Sequence, residues 1–139
     1  MSAAERWEWI VSLDEKILKG DVVLPGWCST IVKEADFAYA HRAHLAAILT
    51  AVAGIESYLR CEEPFVTRKS LRQLIDDAEI PSSLKVRLHT LRKYRNKWVH
   101  VDDPWDDEEL MENSEKHDDE LAATAKDAII LLRETIYSN

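Results

Sequence analysis

At 139 residues, 46% apolar and 32% charged, the chain suits a single packed core and is too apolar for a disordered segment. Three glycines and four prolines supply too few turn residues for an all-β fold, so one all-α domain over 1–139 is expected. The net charge of −8 excludes a uniformly basic nucleic-acid binder, yet that charge is uneven. Residues 1–59 carry five Lys/Arg against eight Asp/Glu, residues 60–100 ten against five, and residues 101–139 three against thirteen. The middle third therefore offers a locally positive field to an anionic ligand.

In chain order, "MSAAERWEWI" lacks a basic region followed by an apolar core, so no secretion signal is expected there. A first helix is predicted over about Ala3 to Lys19, with Trp7, Ile10, Leu13 or Asp14, Ile17 and Leu18 at helical spacing before Gly20. Pro25-Gly26 reads as a turn. One long helix follows over about Ser29 to Arg60, with Gly54 inside it, and Pro64 limits it. Its apolar run Leu45 to Ile55 is too short to span a bilayer, and a cytoplasmic location without membrane association is expected. Thr67 is a candidate cap for a short helix to about Glu79, with Leu71, Leu74 and Ile75 inward. Pro81 opens the next helix, to about Val101. "DDPWDDEELMENSE" reads as an acidic loop before a last helix over about Lys116 to Tyr137, with Leu121, Ala125, Ala128, Ile129, Leu132 and Ile136 inward. Five helices with short connections favour an up-and-down antiparallel bundle of four to five helices.

Two charges interrupt apolar stripes. Leu84, Leu88, Leu91, Arg95 and Trp98 are spaced four, three, four and three, which puts Arg95 in a core-type position. Leu45, Leu49, Val52, Glu56 and Leu59 place Glu56 in the same way. A buried guanidinium needs a partner, so a Glu56–Arg95 pair or a shared polar cleft is expected. Its purpose is either helix register or a site.

His100 lies five residues after Arg95, a net rotation of about 140° around the helix. It shares a face with Asn96, whose amide is placed to fix the tautomer of the ring. Arg95 and His100 can converge across a cleft at the helix end or across a dimer interface. An imidazole can move a proton near neutral pH and a guanidinium can neutralise a phosphate oxygen. Together they suit metal-free phosphodiester transesterification, with an RNA 2′-hydroxyl as nucleophile.

The run "RNKWVH", Arg95 to His100, is an arginine, a polar residue, three more residues and a histidine near the end of a helix. It resembles the motif of the HEPN superfamily. That resemblance implies a HEPN-like bundle, commonly a homodimer whose two motifs face each other. It also implies a metal-independent endoribonuclease in a toxin–antitoxin, phage-defence or RNA-processing role. His100 would then be the general acid/base, Arg95 the phosphate-binding residue and Asn96 the orienting one. Glu56 is an auxiliary from the stripe argument, and Arg92, Lys93 and Lys97 are the expected RNA-binding residues. An antitoxin or regulatory protein is a further expected partner. Where some HEPN toxins carry a modifiable tyrosine two residues after the histidine, this chain has Asp102, which puts that mode of silencing in doubt. Asp102 and Asp103 also oppose a polyanion at the same place. The alternative is a noncatalytic HEPN-like module that binds a protein or nucleotide.

His41 and His44, three apart, invite a metal reading, but there is no HExxH and no Glu three residues before a histidine. No metal or cofactor is expected. Cys28 and Cys61 fit reduced thiols in or near a core. Most of the five tryptophans fit core or dimer contacts, with stacking on bases the lesser reading.

Overall fold

The computed structural model describes residues 1–18, 20, 22–64 and 68–138, and among them every regular element is a helix. These are α1 (Ala3–Ile17), α2 (Gly26–Ala40), α3 (His44–Cys61), α4 (Leu71–Asp77), α5 (Ser82–Val99), α6 (Glu108–Glu112) and α7 (Ser114–Ile136). The expected all-α class is observed. The helix count differs, because the expected long helix is two helices and the acidic segment contains the short α6.

The break in the long helix is a C-terminal cap. The amide of Arg42 donates to the Tyr39 carbonyl at 3.1 Å and that of Ala43 to the Ala38 carbonyl at 2.9 Å. This paired pattern needs a left-handed residue between helix and exit, and Arg42 adopts it at φ 64. The position normally favours glycine, so the composition around residues 38–44 carries no stop signal. At the short α4 the cap is Ser70, whose hydroxyl accepts from the Gln73 amide at 3.2 Å while Gln73 Oε1 accepts from the Ser70 amide at 2.9 Å. Thr67, the expected cap, lies outside the described residues. The same reciprocal cap opens α1, between Ser2 and Glu5.

Named contacts fix the helix directions. Cys28 Sγ lies 3.9 Å from the Gly54 carbonyl, so α2 runs against α3 after the turn at Arg42. Gly54 also faces Leu132, and Tyr58 and Leu59 share a cavity with Ser138, so α3 and α7 run the same way. Arg87 pairs with Glu134 and Lys97 with Glu120, so α5 runs against α7. The core between them includes Tyr39, Ile48, Ile55, Leu88, Ile129, Leu132 and Ile136, all at most 2% exposed. At Gly54 an added Cβ would meet Leu132 Cδ1 at 3.0 Å and Ile31 Cγ2 at 3.4 Å. Glycine there lets three helices approach closely, at some cost in helix propensity.

The chain's main buried polar device joins α1, α2 and α7. Arg133, 3% exposed, donates from Nη1 and Nη2 to the two oxygens of Asp36 at 2.8 and 2.7 Å, and from Nε to Asp14 Oδ1 at 2.6 Å. The two carboxylates hold its pKa above the ordinary arginine value against the opposing effect of burial. Cys28 is buried but Cys61 is exposed, and both are free thiols. Trp7 and Trp9 pack against the core, whereas Trp27 and Trp105 are exposed.

Candidate functional site

Helix α5 ends at Val99 because His100 turns out of helical geometry (φ −123, ψ 64), its amide still bonded to the Asn96 carbonyl. The motif therefore occupies the last turn and the cap. Leu91 is the last buried residue of α5, and Arg95, Asn96 and Trp98 beyond it are half-buried, with His100 exposed. Arg95 thus continues the apolar stripe in direction, but the helix has by then reached the edge of its packing. Its Nε donates to Asn96 Oδ1 at 3.0 Å. Asn96 therefore orients the guanidinium, and the expected bond from its side chain to the His100 ring is not formed among the described residues; its link to His100 is through the backbone.

The expected Glu56–Arg95 pair is also absent among the described residues. Glu56 instead pairs with Arg60 at 3.3 Å, one turn along α3. The reason is helix direction. Glu56 lies two residues beyond Gly54, which faces Leu132, and so sits level with Glu134, the partner of Arg87. Arg87 precedes Arg95 by eight residues, about 12 Å along α5. The buried face of α3 runs through Ala47, Ile48, Ala51, Ile55 and Tyr58, leaving Glu56 at its edge.

The three residues expected to bind RNA point to different neighbours. Arg92 Nε donates to His89 Nδ1 at 3.3 Å, and His89 Nε2 meets Asp76 Oδ1 at 2.7 Å. With Nδ1 accepting, Nε2 carries the proton, so this chain docks α4 onto α5. Lys97 turns toward α7, 3.6 Å from Glu120 and over the rings of Tyr94 and Trp98 at 5.6 and 5.8 Å. Only Lys93 faces solvent with no ion-pair partner among the described residues. None of the described cavities is lined by Arg95 or His100.

What the topology does gather is one end of the molecule. The C-terminus of α5 meets the start of α7 there through Lys97 and Glu120, and the start of α1 meets the end of α2 through Arg6 and the Tyr39 carbonyl. The Asp118 charge on α7 reaches His44 on α3, as does that of Arg6 on α1. His100, His117, His44 and His41 all lie in elements of this end. His117 is buried, and its Nε2 meets Glu109 Oε2 at 2.6 Å, which fastens α6 to α7. That contact holds the Glu109 carboxyl below the usual carboxylate range. His41 is exposed and stacks on Phe37, ring centroids 4.3 Å apart. Among the described residues no group of three His, Cys, Asp or Glu side chains is placed to hold a metal ion.

Sequence reasoning passed over the buried charges Arg6, Asp36 and Arg133, and the half-buried Asp14 as an ion-pair member. The signal was present. Arg133 lies four residues after Ile129 and three before Ile136, and Arg6 lies four before Ile10, the same spacing that singled out Arg95. Among the described residues no helix is long and apolar enough to cross a membrane. Compared with known proteins, the chain matches no family model, no curated protein and no solved structure.

Proposed function

We propose that the chain is a metal-independent endoribonuclease of the HEPN type, acting as a homodimer with an Arg95/His100 motif from each copy at the interface. The observation that carries the reading is the arrangement of the motif itself: Asn96 Oδ1 holds the Arg95 guanidinium at 3.0 Å on the last turn of α5, and His100 stands exposed at the helix end. In this reading the RNA 2′-hydroxyl attacks the adjacent phosphorus and the bond to the 5′-oxygen breaks. The products are a 2′,3′-cyclic phosphate and a 5′-hydroxyl end. His100 accepts the proton of the attacking hydroxyl or donates one to the leaving oxygen, and Arg95 neutralises the charge that builds on the phosphate. Arg95 sits on the last turn of α5 and His100 lies past it in non-helical geometry, and in this reading the partner copy supplies the facing pair. A toxin, defence or RNA-processing role, with an antitoxin or regulator as partner, belongs to the same reading.

A noncatalytic module that binds a protein or nucleotide is the second reading. It is favoured by Asp102 and Asp103 directly after the motif. The test is cleavage of a labelled RNA in the presence of a chelator, by the wild type, His100→Ala and Arg95→Ala. Cleavage by the wild type to cyclic phosphate ends, lost in both variants while they stay folded, supports the ribonuclease. Intact RNA with the folded dimer, or equal cleavage by His100→Ala, overturns it in favour of the module.

A further inference from the structure

A cavity of about 320 Å³ lies between the end of α3, α4 with its link to α5, and Ser138 just past α7. Ligand pockets span roughly 300–1,000 Å³, so the space suits a small molecule. Ser138 is at the far end of α7 from Glu120, the neighbour of Lys97. The cavity therefore sits at the opposite end of the molecule from the Arg95/His100 motif.

Leu59, Leu74 and Ile80 give the cavity apolar surface, and Glu62, Glu63, Asp77 and Glu79 supply four carboxylates. One ammonium already answers two of these acids: Lys69 Nζ lies 3.0 Å from Glu63 Oε1 and 2.9 Å from Asp77 Oδ2. Glu62 and Glu79 have no ion-pair partner among the described residues. Helices α3 and α7, of 18 and 23 residues, both end here, and the C-terminus is the negative end of a helix dipole.

Exposed carboxylates alone would be a solvated surface, and Tyr58 makes this place different. It lines the cavity and is only 8% exposed, yet its hydroxyl bonds to no described residue. A hydroxyl withdrawn from water is costly without a partner. Burial first, then the Glu62 charge, holds this phenol above its ordinary pKa. It therefore stays a neutral hydroxyl whose oxygen can accept from a cation.

We infer that this cavity binds an aliphatic polyamine, whose ammonium groups meet Glu62, Glu79 and the Tyr58 hydroxyl while its methylene chain lies on Leu59, Leu74 and Ile80. An ammonium donates three hydrogen bonds and accepts none, which suits carboxylates and a phenol oxygen left without donors. Among the described residues no three of these acids are placed to hold a metal ion. Negative charge spread along an apolar wall matches a chain of spaced ammonium groups better than a point charge. The inference stands apart from the ribonuclease reading: polyamine binding is expected in His100→Ala whether or not RNA is cut.

The experiment is a calorimetric titration of the full chain with spermidine at constant ionic strength. Glu62 and Glu79 are exposed, so Glu62→Gln/Glu79→Gln removes both charges and keeps the fold, and Tyr58→Phe keeps the ring. Because the whole chain is acidic, Glu108→Gln/Glu112→Gln on the exposed α6 serves as the control for general charge. Saturable binding of one spermidine is expected, about tenfold weaker in Glu62→Gln/Glu79→Gln and unchanged in the α6 control. In Tyr58→Phe it should weaken about fivefold, through loss of one hydrogen bond. Absence of saturable binding, equal weakening by the two glutamate pairs, or undiminished binding in Tyr58→Phe overturns the site. Butylamine, with a single ammonium, should bind at least about tenfold more weakly than spermidine. Equal affinity for the two amines overturns the polyamine assignment.

Discussion

Arg133 and Asp36, 97 residues apart in the chain, meet through two parallel hydrogen bonds of 2.8 and 2.7 Å. A planar guanidinium and a carboxylate fit each other in this geometry, and it fixes the rotation of α2 against α7. Removing Asp36 leaves the buried Arg133 with only the half-buried Asp14 as counter-charge. Asp36→Ala is expected to lose about 3–5 kcal/mol of stability in urea unfolding. The double variant Asp36→Leu/Arg133→Met should regain most of that loss, because neither member of the buried pair remains. A loss below about 1 kcal/mol in Asp36→Ala would show the pair to be incidental.

Gly54 is where α2, α3 and α7 come closest. Gly54→Val should cost about 1–3 kcal/mol by overpacking against Leu132 and Ile31. Gly54→Ala should be milder, since about 1 kcal/mol of helix propensity offsets the contact and the Leu132 methyl is a side-chain end that can shift. Thermal unfolding of the two variants checks the order, and a Val variant as stable as wild type would contradict the close approach.

Burial first, then the Arg6 and Arg42 charges, holds the His44 ring below its ordinary pKa. Between the lowered folded value and the unfolded value of about 6.5, the unfolded chain binds more protons than the folded one. Stability contributed by His44 is therefore present above pH 6.5 and is lost as the pH falls through the window below it. Urea midpoints measured from pH 7.5 downward should decline more steeply in the wild type than in His44→Gln. Parallel pH profiles would remove His44 from the account.

Asp102 and Asp103 follow His100 on an exposed stretch. If RNA occupies the Arg95/His100 end, the variant Asp102→Asn/Asp103→Asn should bind and cleave it about two- to fivefold better at ~0.1 M salt, with the gain shrinking as salt rises. Affinity for a short RNA at two ionic strengths, together with cleavage rate, reads this out. No gain at low salt would mean that the acidic stretch points away from the substrate.

The sequence by itself determined the helical class, most helix positions and the apolar faces, because periodicity and scarce glycine act locally. It also singled out Arg95, Asn96 and His100 as a unit on one helix end. It missed the break at Arg42, because a left-handed cap on arginine is held by backbone bonds that local composition does not announce. Which charges are paired was a tertiary decision. Arg95, Glu56, Arg6 and Arg133 all sit at stripe-like spacings, and spacing cannot say how far along a helix its neighbours extend. The antiparallel run of α3 and α5 separated Glu56 from Arg95. Packing of α1, α2 and α7 brought Asp14 and Asp36 to Arg133, while the packing of α1 on α2 set Arg6 over the Tyr39 ring with no acidic partner among the described residues. Burial and partners depend on where helices end and cross, and only the folded chain fixes those points.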